Sequence, residues 1–326
     1  MDYVARVLVV SPNPCFDRTL RVDELTPGTV SRPGGAVVTA GGKGVNVVRT
    51  LRDLGCPGLL LALLPADGAD RFEALLHAEG LPVVALKTPG ELRSATIVLE
   101  DDGRATVLNE PGPVLDPAVR DRLVASVRTE LASGHRGLAC SGSLPPGLPL
   151  DMYSGLVASA RAQGVVSVVD AAREVLAATL PAGPDLVTPN LAEAEGLVTG
   201  QVTEPVTAGD PAVLVADRAV DAARSLVEHG ARRALVTVGA HGAAFADGSA
   251  VHWLTAPVVE PANPIGAGDA LVGGVLAALE HGAPEPDWLP VVRHGISVAS
   301  AAVEHPRAGR VDPQRVAALE SAGTPT

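Results

Sequence analysis

Aromatic side chains make up only 2% of the 326 residues: three Phe, two Trp and two Tyr. So small a supply excludes a base-stacking platform for single-stranded nucleic acid, which needs a row of exposed rings. Any core must be built from Ala, Val and Leu. Cysteine is scarce too. Cys15, Cys56 and Cys140 are odd in number and widely spaced, and no C-x-x-C or His-rich cluster accompanies them. A disulfide framework or a zinc site is excluded, and a reducing cytoplasmic location is expected. Positive charge is the third shortage, with 25 basic against 37 acidic side chains, a net charge of −12 and no basic block. Binding to nucleic acid or to an anionic membrane surface is not expected. No apolar run reaches membrane-spanning length without Gly, Pro or charge, and Met1–Arg6 lacks a signal-peptide layout.

What is present is ample apolar material, 47% hydrophobic against 19% charged. A single large α/β domain over residues 1–326 is expected. Val4–Val10 reads as a buried first strand ended by Ser11-Pro12-Asn13-Pro14. From Gly137 onward strands and helices alternate. The strands are Gly137–Cys140, Val165–Val169, Leu186–Val187 and Ala234–Val238. The helices are Asp151–Gln163, Leu191–Val198, Ala212–Glu228, Gly268–Glu280 and Trp288–Val303. Such alternation predicts a mainly parallel sheet covered by helices on both faces. Residues 18–38 and 91–110 alternate polar and apolar instead, with a hairpin turn at Asp101-Asp102-Gly103-Arg104. They predict a small appended sheet, a lid. The tail after Glu320 is expected to be loose.

Five stretches carry chemistry. Asn263-Pro264-Ile265-Gly266-Ala267-Gly268-Asp269 is a glycine-rich turn that opens a helix. Its N–H groups suit an anion, and Asp269 at its mouth is poised to take a proton from an attacking hydroxyl. Gly41-Gly42-Lys43-Gly44-Val45-Asn46 is a second such junction. It lacks the spacing of a Walker A loop, and it reads either as a plain tight turn or as a polar seat for a sugar. Asp17, after the first strand, is either a turn cap or an acceptor for sugar hydroxyls at the carboxyl end of a sheet. Pro189-Asn190-Leu191-Ala192-Glu193 has the layout of a capping box, which accounts for the pair; the functional alternative is that Asn190 and Glu193 organise water around Mg²⁺. Ser141-Gly142-Ser143 and Thr237-Val238-Gly239-Ala240-His241-Gly242 follow strands and offer close approach to substrate and nucleotide. Arg32 and Arg93 in the lid region are either solvated surface groups or a grip on a substrate phosphate.

In their order along the chain, Asn13-Pro14 through Asp17, Gly41 to Asn46, Ser141 to Gly147, Asp170, Pro189-Asn190 with Glu193, Gly239 with Gly242 and Gly266 to Asp269 together resemble the PfkB/ribokinase family of sugar kinases, in its 1-phosphofructokinase and tagatose-6-phosphate kinase branch, from about Val7 to Pro313. The resemblance implies a ribokinase-like three-layer α/β/α sandwich with a β-lid often used for homodimerisation. It implies ATP and Mg²⁺, and a phosphorylated ketohexose as substrate, first of all fructose 1-phosphate. Asp269 would be the base, and Gly266, Ala267 and Gly268 the anion hole. Asp17, Gly41, Gly42, Lys43, Asn46 and Ser143 would hold the sugar, and Arg32 and Arg93 its phosphate. Asn190, Thr237, Gly239 and Gly242 would line the nucleotide site, and Glu193 would serve the metal. The chain departs from the family at four places: Asn263-Pro264 replaces a hydroxyl-bearing pair, Ala171-Ala172-Arg173 replaces small polar residues and Gly, Leu92 replaces Thr, and Thr188 stands where many members have Lys.

Overall fold

Strand β1 (Val7–Ser11) is buried along its whole length, and its residues divide between two cores. Leu8 and Val10 join one apolar cluster while Val7 and Val9 join the other. That is the period-two alternation of a strand covered on both faces, and it explains the uninterrupted Val/Leu run. The computed structural model describes residues 6–171, 173–199, 211–280 and 286–323.

After β1 come β2 (Cys15–Val22), β3 (Ala36–Gly41), α1 (Lys43–Asp53), β4 (Gly58–Asp67), α2 (Ala69–Ala78), β5 (Val83–Glu91), β6 (Ser94–Glu100) and β7 (Ala105–Asn109). They are followed by α3 (Val119–Leu131), β8 (Gly137–Ser141), α4 (Met152–Ala162), β9 (Val166–Asp170), α5 (Arg173–Thr179), β10 (Leu186–Val187), α6 (Leu191–Thr199) and α7 (Ala212–Glu228). The chain continues through β11 (Ala234–Thr237), β12 (Ala243–Ala246), β13 (Val251–Leu254), α8 (Ala267–Glu280), α9 (Trp288–Val303) and α10 (Pro313–Gly323).

The main sheet runs in the order β13-β12-β11-β10-β9-β8-β1-β4-β5. Strands β11 to β5 in that order pair in parallel, and β12 and β13 form an antiparallel edge. One face is covered by α3, α4 and α7, and the other by α1, α2, α8 and α9. The second sheet is small, in the order β3-β2-β6-β7. Only three aromatics, Tyr153, Phe72 and Phe245, are among the largest fully buried side chains; Leu supplies the rest. No helix of the described residues is long and apolar enough to cross a membrane.

The structure moves several expected boundaries. The lid begins at Cys15 rather than at residue 18 and its second strand runs on to Gly41, so Asp17 lies on a lid strand and not in a loop. Residues 23–35 form no strand, because Pro27, Pro33 and the adjacent glycines interrupt any ladder. The first strand starts at Val7; Val4 and Ala5 lie outside the described residues. The tail is helical to Gly323, because Val316 and Leu319 bury against α9 residues such as Val298 and Ala302. Helix α5 and the hairpin β12–β13 were not anticipated from the sequence.

The small-residue run after Asp269 has a packing reason. A Cβ on Gly273 would lie 2.8 Å from Thr50 of α1, and one on Gly274 would lie 2.8 Å from Val298 of α9. These two positions let α8 approach both neighbours. Gly273→Ala is expected to cost about 1–3 kcal/mol of stability, as overpacking does. Chemical denaturation checks this, and an unchanged midpoint and slope would contradict the close-packing account.

Candidate active site

The carboxyl ends of the parallel strands, the first turns of α1, α6 and α8, and the inner face of the small sheet enclose a cavity of about 840 Å³. Ligands of open α/β sheets settle at this end because loops and helix N-termini converge there. Asp17, Gly42, Lys43, Asn46, Arg93, Ser143, Asn190, Glu193, Thr237, Gly266, Ala267, Gly268 and Asp269 all line it. A second cavity of about 390 Å³ adjoins it and shares Thr237, Pro264, Ala267 and Gly268 with it. Gly239 and Gly242 line this second cavity, whose other walls are apolar: Val258, Leu271 and Ile296 among them.

Two of the expected residues line neither. Gly41 is buried at the end of β3, paired with Cys15 beneath Asp17. Arg32 is exposed on the segment between β2 and β3, so the expected pair of arginines reduces to Arg93.

Asp269 sits in the first turn of α8 and is 6% exposed. Asn46 Nδ2 donates to its Oδ2 at 2.8 Å. Burial pushes the Asp269 carboxyl up to about 7; the Lys43 ammonium pulls against this shift and the Asp170 carboxylate adds to it. Gly266, in the preceding turn, has φ +83°, a conformation that favours glycine and that turns the chain into the helix. The backbone N–H groups of Gly268 and Asp269 have no acceptor within the described residues, as expected at a helix start. An anion docked there would meet unpaired donors beside a carboxylate that can hold a proton near neutral pH.

Lys43, the first residue of α1, donates through Nζ to Asp170 Oδ1 at 2.9 Å. Burial would lower its pKa, but Asp170, Asp269 and Glu193 together outweigh that and drive it up, so the ammonium stays charged. Asp170 ends β9 in register with Ser141 of β8, and Thr188 follows β10 beside it. Asp170 Oδ2, Thr188 Oγ1 and Ser141 Oγ are buried without a hydrogen-bond partner among the described residues. Three orphaned oxygens side by side leave polar capacity for water or for a ligand. The sequence had given Asp170 no role of its own, and Thr188 had stood out only as a departure.

Asn190 and Glu193 do form the expected capping box. Glu193 N donates to Asn190 Oδ1 at 2.9 Å, and Asn190 N to Glu193 Oε2 at 3.0 Å. Burial raises the Glu193 pKa, with Lys43 opposing. Burial likewise raises that of Asp17, although the Cys15 thiol donates to its Oδ1 at 3.3 Å. Asn13, to which the sequence gave no role, is a member of the site. Its amide donates to Ser143 Oγ and to Pro111 O, both at 3.1 Å, and its carbonyl accepts from Arg93 Nη2 at 2.7 Å and Nε at 3.2 Å.

The PfkB family carbohydrate kinase model matches residues 10–315. The chain belongs to the PfkB family of carbohydrate kinases. It is 36% identical over 300 residues to the 1-phosphofructokinase of Haloferax volcanii, covering 91% of this chain and 90% of that one. It is 32% identical over 274 residues to the 1-phosphofructokinase of Rhodobacter capsulatus, covering 84% and 83%. Among solved structures, phosphofructokinase-2 from Escherichia coli in complex with fructose-6-phosphate superposes with a TM-score of 0.81 at 28% identity, over 97% of this chain and 99% of that one. A PfkB carbohydrate kinase is a phosphotransferase with an alcohol acceptor and uses ATP. The ribokinase-like expectation for the fold is met.

A base with a pKa of about 7 has a definite signature. In the ionised form Asp269 accepts a proton, and in the protonated form it cannot. The expected profile of kcat/KM therefore falls about tenfold per pH unit below about pH 7 and is level above it. A steady-state profile that stays flat between about pH 5.5 and 8 would contradict this assignment.

Proposed function

We propose that this kinase transfers the γ-phosphoryl group of ATP to a hydroxyl of a phosphorylated ketohexose, converting fructose 1-phosphate to fructose 1,6-bisphosphate. The observation that carries a phosphorylated substrate is Arg93. It lines the same cavity as Asp269, and its guanidinium is fixed by bonds to Asn13 O and, at 3.1 Å, to Glu110 O. Three of its five N–H donors are used in this way, which leaves two on a pre-oriented fork for a phosphate. The 1-phosphofructokinase relatives support the sugar assignment. The rivals are the fructose 6-phosphate seen in the E. coli neighbour, tagatose 6-phosphate, and an unphosphorylated sugar.

In this reading Asp17, Gly42, Lys43, Asn46 and Ser143 hold the sugar, and Gly41 supports Asp17 from below. Asp269 takes the proton of the attacking hydroxyl. The N–H groups of the Gly266–Gly268 turn and Asp269 stabilise charge that develops on the transferred group, and fixed donors do this without reorganisation. Lys43, held on Asp170, adds a positive charge within reach of the same space. The second cavity, with Gly239 and Gly242, takes the base and ribose, and Asn190 and Thr237 lie toward the phosphates.

The donor set suits Mg²⁺. No group of three or more His, Cys, Asp or Glu able to hold a metal occurs among the described residues. Mg²⁺ on a nucleotide needs only one or two carboxylates and retained waters, and Glu193 with the orphaned Asp170 Oδ2 and Thr188 Oγ1 provides them. When bound, the ion would neutralise phosphate charge. The lid strands leave Val37 and Val107 exposed, at 61% and 40%, on the two edge strands at opposite ends of one row across the small sheet. A second copy of the chain covering that face would give the homodimer expected from the resemblance.

Coupled ADP-release assays over a sugar panel test the proposal. Fructose 1-phosphate should give the highest kcat/KM, and Arg93→Ala should raise its KM about 10- to 100-fold through loss of charge-assisted hydrogen bonds. Fructose or ribose outperforming every hexose phosphate, or an equal KM in mutant and parent, would overturn it.

A further inference from the structure

Arg49, one turn after Asn46 in α1, is a buried cation that the reaction described above does not use. Its guanidinium is held on three sides. Nε and Nη2 donate to the two carboxylate oxygens of Glu79, at the end of α2, at 2.8 and 2.7 Å. Nη2 also donates to Ala40 O of β3 at 2.7 Å. Nη1 is aimed toward the active site and donates to Asn46 Oδ1 at 3.1 Å. Asn46 in turn donates through Nδ2 to Asp269 Oδ2 at 2.8 Å. Directed bonds therefore run from Glu79 through Arg49 and Asn46 to the base. Arg49, Asn46 and Asp269 are all buried.

A carboxamide fills almost the same space after a half-turn that exchanges its oxygen and nitrogen, so its partners select the orientation. Asp269 alone does not select one. Ionised, it accepts from an amide nitrogen; protonated, it can also donate to an amide oxygen. A guanidinium does select one, because it carries only donors and stays charged. Turned round, the Asn46 amide would set its own N–H groups against those of Arg49. Burial would raise the Glu79 pKa, but the bonds and charge of Arg49, with Arg307 and Arg52, outweigh this and hold it down. The clamp on Arg49 is thus a charged carboxylate at neutral pH.

We propose that Arg49, clamped by Glu79, is a positioning residue for phosphoryl transfer: it locks the Asn46 carboxamide with its nitrogen toward Asp269, so that the base always faces a donor. A donor favours the ionised carboxylate, the form that takes the proton of the attacking hydroxyl. The charged groups facing Asp269 are Lys43, which also favours that form, and Asp170 and Asp17, which oppose it. Those facing Arg49 are Glu79 and Asp17, with the Cys15 thiol, and Arg52 and Arg307 share Glu79 with it. Arg49 and Glu79 are opposite charges in contact, so what they deliver to Asn46 is direction rather than net charge.

The inference rests on Asp269 as the base, not on which sugar accepts. The test is the pH profile of kcat/KM for the double variant Arg49→Gln/Glu79→Gln and for Glu79→Gln alone. Both are compared with the parent, using whichever sugar phosphate the parent turns over best. Replacing both members of a buried ion pair leaves no uncompensated charge, which protects the fold. A glutamine at position 49 can turn either end of its amide to Asn46, so the lock is lost and Asn46 can accept from protonated Asp269. The double variant's midpoint is expected about one pH unit above the parent's, which makes kcat/KM, relative to its plateau, about tenfold lower at about pH 6. Glu79→Gln alone keeps the donor-only guanidinium against Asn46, so its midpoint should lie at or below the parent's. A double variant that loses the same factor at every pH and keeps the parental midpoint overturns the proposal, because the pair then serves only the fold. A midpoint for Glu79→Gln raised as far as the double variant's overturns it too. A parent profile with no midpoint near the Asp269 value of about 7 fails the reading of the base itself, and this inference with it.

Discussion

Asp269 is a carboxylate almost wholly withdrawn from water at the first turn of a helix. Withdrawal makes its charge costly, and the surrounding structure offsets only part of that cost. One hydrogen bond from Asn46 and the nearby Lys43 ammonium favour the ionised form, while burial and Asp170 favour the neutral one. The balance leaves the group near 7, where it can both lose and take up a proton at working pH. This poise depends on Asn46 and Lys43 lying on α1 while Asp269 lies on α8, so the two helices must meet closely. Gly273 against Thr50 is what permits the approach.

The same junction places the anion hole. The turn ending at Gly268 is the start of α8, so its free N–H groups and the base are parts of one rigid element. Sites carried on helices and strands hold their geometry better than sites carried on loops. Lys43 has a double duty at this point: it holds Asp170 in place, and it tempers Asp269. The orphaned oxygens of Asp170, Thr188 and Ser141 mark where the protein interior stays polar without serving its own fold. The apolar second cavity beside them suits a flat base, which leaves the charged work to the first.

Much of this was legible in the sequence. The strand–helix alternation after Gly137 reads clearly because each element is a single amphipathic or fully buried unit. Helix α5 and the β12–β13 hairpin escaped because they are seven and four residues long, below the length at which periodicity speaks. Helix α10 escaped because its buried face is marked only by Val316 and Leu319. In the site, Asp269 and its glycines are contiguous and were found as a motif. Asn13 and Asp170 received no role, because their meaning lies in partners far away in the chain. Lys43 and Asp170 are 127 residues apart, Asn13 and Ser143 130, and Asn46 and Asp269 223. Arg32 lies exposed between β2 and β3 and lines neither cavity, which its neighbours in sequence could not show.

The central claim is that Asp269 acts as the base within a preset anion hole. The most direct measurement is a single-turnover rate for Asp269→Asn with ATP and the best sugar phosphate, alongside ATP affinity by calorimetry. Asparagine keeps the shape and the helix start but cannot accept the proton. The account predicts a chemical step slowed about 10²- to 10⁴-fold, the usual worth of a positioned general base, with ATP affinity little changed. A chemical step near the parental rate would contradict it.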